Sequence, residues 1–164
     1  MHRRDHRFDS SLTRVRAVAD YQFGKKVGTR FLPKHVKIGY SERTGRIRYV
    51  HLDGVRLVTL RPTDGLFSLS INGAKRLLSR CRKSLVCIVS VRNDVSDFMK
   101  KGGDVFAAHV VDASDEIRAK DEVIVIDENN QLLAVGRAVL SGDEMRAFKR
   151  GVAVKIRRGC ADEA

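Results

Sequence analysis

The sequence predicts an α+β chain of two small domains, a first α/β domain built on an antiparallel sheet and a second of mixed β structure with short helices. Three observations lead there. In the first half, four short segments rich in β-branched and aromatic residues stand between TG, DG and TDG turns. The second half opens on LVCIVSV, a continuous apolar run suited to a strand buried on both faces. Charge divides the chain at the same place: residues 1–80 hold 18 Lys and Arg against 6 Asp and Glu, while residues 81–164 hold 14 against 14. A length of 164 residues allows two small cores.

Taken in order, residues 1–11 alternate charge with His and lack apolar periodicity, so they are expected as a flexible basic arm. In LTRVRAVADYQFG, Leu12, Val15, Val18 and Ala19 recur at helical spacing and Gly24 is a stop, which predicts an amphipathic helix. VKIGYS, GRIRYVHLDG, VRLVTLRP and FSLSING read as successive antiparallel strands. Strict alternation in RIRYVHL puts Ile47, Tyr49 and His51 on one face and Arg46, Arg48 and Val50 on the other. GAKRLLSRCR, apolar at Ala74, Leu77 and Leu78, predicts a short helix closing a domain over 12–82.

A second domain is expected over 83–159, with 160–164 as a tail. After LVCIVSV, Val95, Phe98 and Met99 give DVSDFMKKGG a helical face, ended by Gly102 and Gly103. Strands are expected at VFAAHVV, DEVIVID and QLLAVGRAVL. Ser141 and Glu144 have capping-box spacing ahead of a short helix that ends at Gly151. GVAVKIRRG closes the domain, with Val152, Val154 and Ile156 on one face and Lys155 and Arg157 on the other.

The net charge of +12 points to a polyanionic partner, because Lys and Arg displace counterions condensed on nucleic acid. Candidate contacts in the second domain are Lys100, Lys101, Gly102, Gly103, Lys149, Arg150, Lys155, Arg157 and Arg158, the last five expected to cluster near the helix-to-strand corner of the C-terminus. Gly102 and Gly103 can either present backbone N–H groups to phosphate or simply cap the helix. In the first domain the candidates are Arg14, Arg16, Arg46, Arg48, Arg61 and Lys75. Periodicity assigns Phe98, Phe106 and Phe148 to the core, and an aromatic content of 6% with no Trp argues for recognition by shape and backbone charge more than by base stacking.

Other chemistries lack their residues. The 3 Cys have no CxxC pairing, the His have no metal-ligand spacing, and no phosphate loop of the Walker or Rossmann kind occurs. No metal and no cofactor are therefore expected. No apolar run is long enough to span a membrane and Met1 to Ser10 is too polar for a signal peptide, so a cytoplasmic location is expected.

From Ser84 to Gly159 the pieces KGGDVFAAHVV, IRAKDEVIVID, LLAVGRAVLSGDEM and KRGVAVKIRRG resemble a PUA domain, which implies a mixed β pseudo-barrel that binds RNA. The stretch SGDEMRAFKRGVAVKIRRG resembles the PUA domain ending archaeal tRNA-guanine transglycosylase and archaeosine synthase. VRAVADYQFG, RTGRIRYVHLDG and LVTLRPTDGLFSLSINGAKRLL resemble the domain that precedes PUA in the same proteins. Where many PUA domains read Pro-Gly, this chain has Ala108-His109. The family's catalytic aspartates have no matching position, since Asp20 and Asp64 fall in the accessory segment. The resemblance implies a non-catalytic RNA binder, tRNA first, working as an accessory subunit beside a separate catalytic chain. A protein-interaction subunit completing that chain, or a binder of rRNA or another structured RNA, is the alternative.

Overall fold

The computed structural model describes residues 2–163, and side chains from His6 to Asp162. The chain divides into two compact units, one ending at Leu85 and the other beginning at Val86.

The first unit runs α1 (His2–Phe23), α2 (Val27–Phe31), β1 (Lys37–Tyr40), β2 (Ile47–Leu52), β3 (Val55–Leu60), β4 (Phe67–Leu69) and α3 (Ile71–Cys81), with the four strands in an antiparallel sheet of sequential order. Helix α1 starts at His2, so residues 2–11, expected as an arm before the first ordered element, lie in the helix. Contacts from distant residues account for this. The Arg7 guanidinium lies 3.9 Å from the Tyr40 ring centre and donates to Gly45 O at 2.9 Å, while Ser11 Oγ is 2.8 Å from the Tyr40 hydroxyl.

Leu12, Val15, Ala19 and Phe23 form the buried stripe of α1; Val18 is only half-buried. Phe23 meets Phe31 edge-on at 6.0 Å and stacks on Phe67 at 6.4 Å, an aromatic centre for this core. Two polar side chains of α1 fix its neighbours. Asp20 Oδ1 accepts from Gly28 N at 2.7 Å, satisfying an amide in the first turn of α2. The Gln22 amide exchanges two bonds with the Phe67 backbone, at 2.6 and 2.9 Å, where β4 has no further strand to pair with.

The alternation expected in β2 is broken. Gly39 pairs with Tyr49 and Tyr40 with Ile47, so Arg48 is an extra residue in the ladder, and Ile47 joins Val50 in the core. Tyr49 and His51 remain together, 6.1 Å apart.

The second unit contains β5 (Ile88–Val91), α4 (Ser96–Lys100), β6 (Val105–Phe106), β7 (Val110–Ala113), β8 (Glu122–Ile126), β9 (Leu132–Ala138), α5 (Gly142–Ala147) and β10 (Val152–Gly159). Its mixed sheet has the order β6-β10-β9-β8-β5-β7, antiparallel except for the parallel pair β5 and β8, and forms a nearly closed pseudo-barrel. The expected single strand VFAAHVV is two short ones separated by a 3-10 turn at Ala107–His109. The core includes Val89, Val91, Met99, Val125, Leu133, Met145 and Val154. Ser141 and Glu144 form the expected capping box, which draws the Glu144 carboxyl below its ordinary range through the bond from the Ser141 backbone.

Candidate nucleic-acid interface

Two five-residue turns shape the basic end of the first sheet. In both, the first residue's N–H donates across the turn and its C=O accepts from a glycine of left-handed φ: Ser41 N to Arg46 O and Gly45 N to Ser41 O, both 2.8 Å, then Arg61 N to Leu66 O and Gly65 N to Arg61 O, 2.8 and 2.9 Å. Gly45 has φ +69° and Gly65 φ +71°, which is why each turn needs glycine there. Between these turns and α1 lies a cavity of about 720 Å³, walled by Arg14, Arg43, Arg46, Arg48 and Arg61 with Ile47, Leu60 and Pro62.

Four of the six cations singled out in this half thus converge: Arg14 from the helix, Arg46 and Arg48 at the bulge, and Arg61 at the second turn. The turn residue Arg43 joins them, and no local pattern in the sequence marks it. Arg14, Arg43, Arg46 and Arg48 form no ion pair among the described residues. Arg61 is held by Asp64 at 2.9 Å, yet its Nη1 is buried without a hydrogen-bond partner. The other two candidates lie elsewhere. Arg16 donates to Leu32 O at 2.8 Å and ties α1 to the segment after α2, and Lys75 is exposed on α3. Arg76 is likewise structural, donating to Phe31 O at 2.7 Å; burial lowers its pKa.

In the second unit the expected basic cluster is spread out. Lys149 and Arg150 precede β10, whereas Arg158 lies near its far end, roughly 20 Å along the strand from Val152. Lys155 is exposed in mid-strand opposite Arg137, a cation that sequence reasoning passed over because β9 is otherwise apolar. Lys100 and Lys101 end α4 beside the exit of β10: a Cβ on Gly159 would fall 2.0 Å from Lys100 O and 2.8 Å from Gly102 N. The chain positions of basic residues that come together here are thus Lys155 with Arg137 across the ladder, and Lys100 and Lys101 with the end of β10 that follows Arg158.

Two of the assigned roles change. Gly102 N donates to Met99 O and Gly103 N to Phe98 O, both at 3.0 Å, so these amides are consumed by the helix cap and are not presented to phosphate. Arg157 is the extra residue of a bulge against β9, and its guanidinium binds both carboxylate oxygens of Glu122 at 2.7 and 2.5 Å. The Glu122 side chain is fully buried, so the Arg157 charge is already matched.

Phe98, Phe106 and Phe148, expected in the core, are 53%, 41% and 46% exposed. Periodicity located their elements but not the side of each that the pseudo-barrel would cover. Phe98 lies over Gly103, where a Cβ would come within 2.3 Å of the ring, and Phe106 meets His109 edge-on at 5.7 Å. This unit therefore presents aromatic surface as well as charge.

Among the described residues no group of three or more His, Cys, Asp or Glu is placed to hold a metal ion, and no helix is long and apolar enough to cross a membrane.

Comparison with known proteins agrees with both units. Residues 13–83 match the patch-forming domain C2 of tRNA-guanine transglycosylase, and residues 88–160 match the PUA domain. The tRNA-guanine(15) transglycosylase of Thermococcus onnurineus is 43% identical over 145 residues, covering 88% of this chain and 24% of the relative. That of Pyrococcus furiosus is 42% identical over 155 residues, covering 94% and 26%. The chain thus spans about a quarter of the length of these curated relatives, matching their C-terminal region. Among solved structures, a hypothetical protein from Pyrococcus horikoshii OT3 superposes with a TM-score of 0.77 at 23% identity, covering 94% of this chain and 92% of that one. A PUA domain from Aeropyrum pernix K1 gives 0.67 at 16%, covering 94% and 82%. These two likenesses concern fold alone.

Proposed function

We propose that this protein, which belongs to the PUA-domain proteins and carries a transglycosylase C2 domain ahead of its PUA domain, binds tRNA in the cytoplasm as the non-catalytic docking subunit of a tRNA-modifying enzyme. The observation that carries this reading is the tandem itself: the same two domains, in the same order, are shared with proteins named tRNA-guanine(15) transglycosylase. The chemistry fits an RNA partner. Lys100, Lys101 and Arg158 offer phosphate contacts, exposed phenylalanines offer stacking surface for unpaired bases, and the surplus charge of the first half adds attraction that does not depend on sequence. Under this reading the second partner, beside tRNA, is a separate protein chain that supplies catalysis.

The test is binding of the purified chain to total tRNA across a salt series, beside Lys101→Ala/Lys155→Ala/Arg158→Ala, followed by addition of the chain to a transglycosylase catalytic domain. Affinity is expected to fall steeply with salt, each lost phosphate contact removing about 0.9 from the slope of log K against log salt. The chain is expected to raise tRNA turnover by the catalytic domain while showing no modifying activity alone. Absence of tRNA binding at moderate salt would sink the reading.

A further inference from the structure

We infer that the arginine-walled cavity of the first unit is a binding site for one phosphorylated nucleotide. Its charge is unbalanced from within: five guanidiniums line it, no carboxylate does, and four of the five have no ion pair among the described residues. Like charges gathered at one place repel, and a bound anion removes that cost. The fifth, Arg61, is fixed in the wall by Asp64, which accepts from its Nε at 3.2 Å and pairs with its Nη2 at 2.9 Å.

Size and lining refine the ligand. A cavity of about 720 Å³ has the dimensions of a small-molecule site and is far larger than a lone phosphate requires. Ile47, Leu60 and Pro62 supply an apolar wall for a ribose or a base, and Ser41 and Thr44 stand at the rim with hydroxyls. Guanidiniums match phosphate oxygens in paired, planar bonds, so several around one cavity select phosphate over a simple monovalent anion. The nucleotide has two possible sources, free in solution or part of an RNA strand. Only the second rests on the RNA-binding reading above.

The full chain is titrated at low salt with AMP, with inorganic phosphate and with adenosine. AMP is expected to bind one per chain, phosphate more weakly, and adenosine not at all. Arg43→Ala/Arg46→Ala, two exposed positions without ion pairs, is expected to lower AMP affinity at least about tenfold, since both charge-assisted bonds to the phosphate are lost. Its melting temperature should be unchanged. Arg43→Lys/Arg46→Lys should recover only part of the loss, and Lys155→Ala/Arg158→Ala should leave AMP binding intact. In parallel, the salt dependence of tRNA binding is measured for the same variants. A slope reduced by about 2 in Arg43→Ala/Arg46→Ala identifies an RNA nucleotide as the occupant, whether or not free AMP binds. An unchanged slope with AMP binding that the substitutions weaken identifies a free nucleotide. Failure of the wild-type chain to bind tRNA would refute the docking function while leaving the AMP result to decide this site. The inference is overturned if neither AMP affinity nor the tRNA salt slope responds to the substitutions.

Discussion

Replacing Arg157 with alanine should unfold the second unit far more readily than removing any other cation of β10. The pair it forms with Glu122 is bidentate, at 2.7 and 2.5 Å, and the Glu122 side chain is fully buried at the start of β8. Taking away one partner of a buried pair leaves a charge with neither water nor counter-ion, at a cost of about 3–5 kcal/mol. Arg157 keeps 35% of its side chain exposed, so water can approach Glu122 once the guanidinium is gone, and the lower end, about 3 kcal/mol, applies. For a domain of roughly 60–100 residues, 1 kcal/mol moves the melting temperature by about 4–8 °C, which gives a drop of about 12–24 °C. Thermal and urea unfolding measure it, with Lys155→Ala and Arg158→Ala as controls expected within about 0.5 kcal/mol of the parent. The double change Glu122→Met/Arg157→Met should recover most of the loss, because well-packed apolar residues can replace a buried pair. A melting temperature for Arg157→Ala within about 3 °C of the parent would refute the argument.

The remaining predictions concern the same unit. Ser141→Ala removes the cap of α5 and should cost about 1 kcal/mol in urea unfolding. The Ser141 backbone N–H, which alanine keeps, holds the Glu144 carboxyl below its ordinary pKa, so the carboxylate's contribution is complete above the unfolded-state pKa and fades as pH falls through the lowered folded value; the deficit of Glu144→Ala, and not that of Ser141→Ala, should shrink over that acid window. Gly136→Ala places a Cβ 2.3 Å from Lys155 O and 2.9 Å from Ile156 Cα, both backbone of the paired strand, and should cost about 1–3 kcal/mol. At Gly103 the nearest atoms to an added Cβ belong to the exposed Phe98 ring, which can swing away, and chemical denaturation should show a smaller loss for Gly103→Ala.

Much of the fold was legible because it is written in short-range patterns. Leu12, Val15 and Ala19 repeat at helical spacing and line the buried face of α1; Ser141 and Glu144, three positions apart, mark a capping box; TG, DG and TDG mark the turns of the first sheet. What misled the reading was also local. Alternation in RIRYVHL fails at a bulge whose position depends on pairing with β1, and the helical start near Leu12 overlooked Arg7 and Ser11, whose partners Tyr40 and Gly45 lie about thirty or more residues away. Phe98, Phe106 and Phe148 have the spacing of core residues, but spacing cannot say which flank of an element the rest of the barrel covers.

For the candidate sites the division is sharper. Sequence alone determined that the first half carries the surplus charge, that the chain has the elements of a C2 and a PUA domain, and that Arg14, Arg46, Arg48 and Arg61 were worth considering. Only the tertiary structure brought those four around one cavity with Arg43, sent Arg16 to a backbone carbonyl and matched Arg157 with a buried carboxylate. The reason is physical: a side chain's type and its place in a repeat are local properties, whereas the free energy of a charge depends on its neighbours in space, and those come from strands and turns far along the chain.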